Sequence, residues 1–262
     1  MLLDPINSVT SINFYKKIAG QSLGRTFLYL AYLGMLFSLV FLFFLKTRIW
    51  PSLQETFQWL QTSVPAITYS KGRLSTPTNE KVILRHPKIN GIAFAIDTGR
   101  VEPVTSKNLE EDKVMSYVTS TALYIQNPGG RVDVYDFSKV PSAETRVFDA
   151  KFYQELSKDL GLVLFPLGVV TAFAAFMLWK IVATLFYSMI ALLLNGVTEA
   201  GLAYRPLFNI SVYAQTLVVV VQGILLLIPA RVPQFSLLAA LATTIYLWLA
   251  IKKTAAPAPQ IA

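Results

Sequence analysis

Apolar and polar positions divide the chain into blocks of contrasting character. Residues 1–25 mix the two, with Ile12, Phe14, Tyr15 and Ile18 set around Lys16 and Lys17, which predicts a short interfacial, cytoplasmic helix. From Phe27 to Leu45 no charged residue occurs. At ~1.5 Å per residue such a run crosses about 30 Å of hydrocarbon. It begins too late for a secretory signal and lacks a small-residue cleavage pattern, so it reads as an uncleaved first span over 26–46, with Trp50 at interface depth.

Over 47–158 the pattern becomes that of a soluble α+β domain. Ser52 is placed to cap a helix carrying Leu53, Phe57 and Leu60 on one face. Short β-type runs follow at Ile67–Tyr69, Lys81–Leu84, Gly91–Ile96 and Tyr117–Gln126. The last is joined through Asn127-Pro128-Gly129-Gly130 to Arg131–Val140, a hairpin signal. In Arg131–Val140, Val132, Val134 and Phe137 alternate against Arg131, Asp133 and Tyr135. Asn108–Met115 reads as a helix, and Phe148, Phe152 and Leu156 mark an amphipathic helix leading back into apolar sequence.

That second apolar block, a span over 159–195, is interrupted from Leu160 to Leu194 only by Lys180. It is long for one span and short for two. With one span here, Lys16, Lys17, Arg25, Arg205, Lys252 and Lys253 share a side, as the positive-inside tendency favours, whereas two spans would separate the C-terminal lysines from the rest. One long helix, bent near Pro166, is therefore expected. A cytoplasmic loop (196–207), a third span (208–229, closed by Pro229), a tight turn at 230–234, a fourth span (234–251) and a disordered tail (252–262, with Pro257 and Pro259) complete the chain. The expected architecture is a four-span α-helical bundle with a small α+β extracytoplasmic domain between spans 1 and 2.

Composition changes this picture little. The 262 residues are 54% hydrophobic and 15% charged, with mean hydropathy +0.50. The net charge of +8 comes without a basic run, and the cations flank apolar blocks, which points to membrane lipids and not nucleic acid as the partner. Absence of Cys removes disulfides and thiolate metal sites, and the single His86 reads as solvated. No cofactor or metal is expected.

Candidate chemistry is sparse. Lys180, Thr184 and Ser188 share a helical face at i, i+4, i+8, and Ser211, Gln215 and Gln222 share one in the third span, with Asn209 and Thr216 nearby. Polar groups in hydrocarbon are costly, so they either build a polar seam that binds or passes a small group, or join helices while Lys180 snorkels to the interface. Ala95-Ile96-Asp97-Thr98-Gly99 matches the aspartic-protease tripeptide, but a dyad needs a second carboxylate and the chain holds no second copy. A strand ending in an Asx-type turn, with Gly99 supplying a positive φ, explains it equally. Asp133, Asp136 and the run Glu110-Glu111-Asp112 match no calcium-loop spacing. No catalytic residue is assigned.

The stretch Gly201-Leu202-Ala203-Tyr204-Arg205-Pro206-Leu207-Phe208, continuing to Ser211-Val212-Tyr213-Ala214, resembles an uncharacterised bacterial family of multi-pass membrane proteins. Some of that family are encoded with maltodextrin-uptake genes, and the family is distantly related to the Yip-type membrane proteins. Phe14-Tyr15-Lys16-Lys17, the Val64-Pro65 and Lys71-Gly72-Arg73-Leu74 segments and Ile96-Asp97-Thr98-Gly99 extend the resemblance over most of the chain. It implies about four spans in a bacterial cytoplasmic (inner) membrane, both termini cytoplasmic, and no activity. Tyr204, Arg205 and Tyr213 mark its loop motif. Where the family often places proline after the Tyr-Ala pair, this chain has Gln215-Thr216, which removes the basis for a kink.

Three functions follow as expectations. The first is a non-enzymatic accessory or scaffold subunit of an envelope or transport assembly, docking on other membrane-protein subunits. The second is a small oligomeric permease or lipid-handling protein using the polar seam, and the third a membrane-tethered aspartic protease.

Overall fold

A computed structural model describes residues 2–89, 91–140, 144–228 and 232–255. Pro229, residues 230 and 231 of the turn, and the tail beyond Ala255 with Pro257 and Pro259 lie outside the described residues. The chain forms two compact units, Met1–Arg48 with Leu164–Ala262, and Ile49–Val163.

In the helical unit, α1 (Asp4–Thr10) and α2 (Phe14–Ala19) precede α3 (Leu23–Phe44), whose start is fixed by Ser22 accepting from the Arg25 N–H at 3.3 Å. The amino-terminal segment does more than rest at an edge, because Tyr15 and Ile18 are fully buried in the same core as Tyr29, Leu207, Tyr213 and Leu247. After α3 the chain continues through a π-helical stretch, Leu45–Ile49, directly into α4 (Trp50–Ser63). Ser52 therefore caps nothing; Pro51 sits in the first turn, where its missing N–H is harmless.

The second apolar block is one helix, α6 (Ala150–Val197), after α5 (Ser106–Asp112). It runs on through Pro166 without interruption. The third apolar block is broken instead, into α7 (Tyr204–Ala214) and α8 (Thr216–Leu227), at Gln215. No proline is needed. Gln215 Nε2 donates to the Ser211 carbonyl at 3.1 Å and Thr216 Oγ1 to the Tyr213 carbonyl at 2.7 Å, so side chains satisfy carbonyls at the break. The final helix, α9, spans Phe235–Thr254. Among the described residues, four helical stretches are long and apolar enough to cross a membrane: Leu23–Ser63, Ala150–Val197, Tyr204–Leu227 and Phe235–Thr254.

The α/β unit holds two sheets. β1 (Ile67–Ser70) and β2 (Arg73–Ser75) form a hairpin through Lys71-Gly72, both at positive φ as a two-residue turn demands, and β8 (Arg146–Phe148) pairs on β1's other edge. The larger sheet orders β3 (Val82–Arg85), β4 (Ala93–Asp97), β5 (Ser116–Thr119), β6 (Ala122–Gln126) and β7 (Val132–Asp136). Only β4 and β5 run parallel, with α5 in their crossover. Ala95, Tyr117 and Tyr124 line up through the register and pack beneath Leu109 of α5. Leu84 and Ile96 face oppositely, toward Ile67, Tyr69, Leu74 and Trp59.

Three expectations need correction here. Tyr117–Gln126 is two strands, because Thr119 Oγ1 accepts from Ala122 N and donates to its carbonyl, each at 3.1 Å, closing a turn inside the run. Phe148 lies in β8 and not on the following helix. His86 is buried, and its Nδ1 accepts from the N–H groups of Lys88 and Ile89 at 3.2 and 2.9 Å. The ring stands edge-on to Trp59. An Nδ1 that accepts twice leaves the proton on Nε2.

Candidate functional site in the helical unit

Many of the buried polar side chains in the helical unit fall into two networks, and the Lys180 ammonium lies beside them. The first network joins α3 to α7 and the amino-terminal helices. Thr26 donates to Asn209 Oδ1 at 2.7 Å, and Asn209 Nδ2 donates to the Gln21 carbonyl at 3.0 Å and the Ile18 carbonyl at 3.3 Å. Tyr29 meets Thr216 Oγ1 at 2.8 Å, while its ring stacks flat on Tyr213, with centroids 3.8 Å apart. Arg205 reaches the Gln21 carbonyl at 3.0 Å, so Arg205 and Tyr213 of the loop motif are packing and capping groups. Tyr204 is exposed, with its ring beside Phe208.

The second network is the predicted seam, in part. Thr184 donates to the Lys180 carbonyl at 2.7 Å, Ser188 to the Thr184 carbonyl at 2.8 Å, and Ser211 to the Leu207 carbonyl at 2.8 Å. One hydrogen bond crosses between helices, from Gln215 Nε2 to Thr184 Oγ1 at 2.9 Å. Lys180, Thr184, Ser188, Ser211 and Gln215 are all buried. Gln222 shares with Lys180 a groove between helices. Asn209 and Thr216 belong to the first network, bonded to Thr26 and Tyr29 of α3.

Lys180 does not snorkel. Its residue is only 5% exposed while its neighbour Trp179 is 66% exposed. Its Nζ lies 6.0 Å from the Phe176 ring centroid. Phe176 stacks on Phe37 of α3, and together with Phe173 it crowds Gly34, where an added Cβ would stand 3.1–3.3 Å from their rings. The ammonium thus sits one turn beyond a contact at the middle of α3, at a level inside the charge-free stretch Phe27–Leu45. It lines a cavity of about 750 Å³ with Phe37, Phe41, Leu45, Leu167 and Gln222.

In the α/β unit, Asp97 is no free carboxylate. It accepts from the Tyr117 hydroxyl at 2.9 Å, and Lys81 and Arg100 stand 5.7 and 5.6 Å from the Tyr117 ring. Gly99 is not at positive φ; an added Cβ would lie 2.8 Å from the Asn79 carbonyl oxygen, so the site needs the absence of a side chain and not a left-handed turn. Asp133 pairs with Asn127 and Arg131, Asp136 caps Ser138, and Asp112 binds Lys81. Among the described residues no group of three or more His, Asp or Glu could hold a metal ion.

Residues 5–251 match the family described as "protein of unknown function (DUF1189)". The chain belongs to that family. No curated protein and no solved structure matches it. DUF1189 membership covers the Tyr204–Ala214 stretch and both networks built on it.

The sequence missed the first network's reach to Ser8, whose hydroxyl lies 3.5 Å from Tyr29 and whose carbonyl accepts from Tyr15 at 2.9 Å. The available signal was Tyr15 and Ser8 seven residues apart in the mixed amino-terminal segment.

Proposed function

We propose that this DUF1189 protein is a non-enzymatic integral membrane accessory or scaffold subunit that docks on other subunits of a cell-envelope or transport assembly. One observation carries the proposal. Large apolar side chains of α6 stay exposed from Leu162, at 74%, to Val197, at 83%. That strip is about 52 Å long at 1.5 Å per residue, and a hydrocarbon layer of about 30 Å covers only part of it even when the helix tilts by ~20°. The remainder is apolar surface in contact with water unless protein covers it.

The permease alternative gains less support, because the seam hydroxyls are spent on carbonyls of their own helices. The protease alternative is weakened by the Tyr117 hydrogen bond on Asp97. A bacterial cytoplasmic membrane, both termini inside and residues 47–158 outside, belongs to the same proposal. Its support is the gathering of cations at one end of the bundle. Arg205 binds the Gln21 carbonyl, Arg25 lies 3.9 Å from Asp4, and Lys252 and Lys253 line a cleft with Thr10 and Asn13. Kinship with maltodextrin-operon and Yip-type proteins rests on the Tyr204–Ala214 stretch.

Photocrosslinkers at Phe186, Met189 and Leu193, all exposed on α6, test the proposal in intact membranes. A discrete adduct with one polypeptide is expected from these positions and not from buried Ala191. Lipid adducts alone at all three, with a chain that purifies without a reproducible partner, would refute it.

A further inference from the structure

The apolar stretches Leu23–Phe44, 160–197, Tyr204–Leu227 and Phe235–Thr254 contain no Asp or Glu, so these stretches supply the Lys180 ammonium with no counter-ion. Among the described residues no ion pair or hydrogen bond reaches Nζ; its close neighbour is the Phe176 ring. A buried cation without a partner is strongly unfavourable in hydrocarbon. The residue is nonetheless only 5% exposed and lines a mostly apolar groove, to which Gln222 and Thr171 also contribute polar side chains.

The groove's shape narrows what can supply the charge. From Leu164 to Lys180 its wall on α6 extends about 24 Å at 1.5 Å per residue, and the opposite wall is Phe37 and Phe41 of α3, Leu45 of the π-helical stretch and Leu226 of α8. Its volume, about 750 Å³, lies in the range of about 300–1,000 Å³ that holds one small molecule. A helix about 10 Å across cannot enter a groove already bounded by three helices. A diacyl lipid must in addition bring two chains and keep a large head at the interface, whereas Lys180 lies inside the charge-free depth. A single slender chain ending in a compact anion meets all of these constraints.

We propose that this groove is a binding site for a long-chain fatty carboxylate. The carboxylate pairs with Lys180 Nζ and accepts from the Gln222 amide, and the acyl chain lies along Phe37, Phe41, Leu45 and Leu167. This goes beyond docking on protein partners; the groove shares Leu167 and Trp179 with the exposed strip, while the crosslinking positions Phe186, Met189 and Leu193 lie outside it.

The test uses the delipidated full chain in phosphatidylcholine nanodiscs, with palmitate as the probe. Saturable binding of one palmitate per chain is expected. Hexadecanol, which keeps the chain and loses the charge, should bind at least tenfold more weakly, and Lys180→Met should weaken palmitate by a similar factor. Ala172→Phe, which fills the groove and leaves Lys180 in place, should abolish binding. The thermal midpoint of each variant without ligand reports whether it is folded, and Ala172→Phe tests the groove independently if Lys180→Met is not. Equal binding of palmitate and hexadecanol, retention of binding in both variants, or displacement of palmitate by phosphatidylglycerol or by an acidic transmembrane peptide at equal concentration would overturn the proposal.

Discussion

Replacing Asn209 by Leu removes the centre of the network that ties α7 to α3 and to the end of α2. The side chain is fully buried and makes three hydrogen bonds. They are not equally replaceable. The Gln21 carbonyl keeps Arg205 as a second donor at 3.0 Å, and the Ile18 carbonyl keeps the Gln21 N–H at 3.2 Å. The Thr26 hydroxyl still accepts from Gln21 Nε2 at 2.9 Å, but as a donor it keeps a poor alternative, the Ser22 carbonyl at 3.4 Å. Interhelical hydrogen bonds in membrane bundles average about 0.6 kcal/mol, with a maximum near ~1.7, and leaving a buried group under-satisfied costs about 1–3 kcal/mol. One bond lost outright and two weakened amount to about 2 kcal/mol. Reversible unfolding of the reconstituted chain, followed by a probe on α7, measures this. A double-mutant cycle with Thr26→Val isolates the pair, with an expected coupling of about 1 kcal/mol. A stability for Asn209→Leu within about 0.5 kcal/mol of the parent, the range of inert surface changes, would refute the reasoning.

Gly34→Leu should separate α6 from α3, because the added Cβ meets the Phe173 and Phe176 rings at 3.1–3.3 Å. A loss of about 1–3 kcal/mol is expected for such overpacking, and Gly34→Ala should cost less in the same unfolding assay. In the α/β unit, Gly99→Ala drives a methyl to 2.8 Å from a backbone oxygen; faster amide exchange at Asn79 and Gly99 checks it. His86→Phe preserves the contact with Trp59 but leaves the N–H groups of Lys88 and Ile89 unpaired, for a loss of about 1–3 kcal/mol. Burial, then the Asp97 hydrogen bond, raise the Tyr117 hydroxyl above the ordinary tyrosine value of 10.0, and the hydrogen bond to Asp112 raises Lys81 above 10.5. Both folded-state values exceed the unfolded ones. Their stabilisation is therefore complete below about pH 10 and is lost as the pH rises through the folded values. An alkaline unfolding titration should show this loss, diminished in Asp97→Asn; a flat profile above that range would contradict it.

Much of the architecture is legible in the chain itself. Charge-free runs must be helical in hydrocarbon, because every backbone polar group needs an internal partner there. The apolar parts of the α3 region, α6 and α9 follow from that rule, whereas the charged opening turns of α6 from Ala150 to Asp159 do not. Turn chemistry likewise marks the Lys71-Gly72 and Asn127–Gly130 hairpins, since positive φ is a local demand. The strands β2 and β8 escaped notice because three residues carry too little periodicity, and they exist only through pairing with β1.

What the tertiary structure alone decided concerns polar groups, whose role depends on what lies opposite. Spacing placed Lys180, Thr184 and Ser188 on one face, but only the close approach of α3 at Gly34 and Phe37 shows the lysine enclosed and not reaching for the interface. The break at Gln215 arises from competition between side chains and helix carbonyls, for which no proline gives notice. Hydrophobic periodicity records which side of an element avoids water, a property of neighbouring residues. Partnership between charges and amides is settled by atoms distant in sequence, such as Thr26 and Asn209, and so emerges only once the chain has packed.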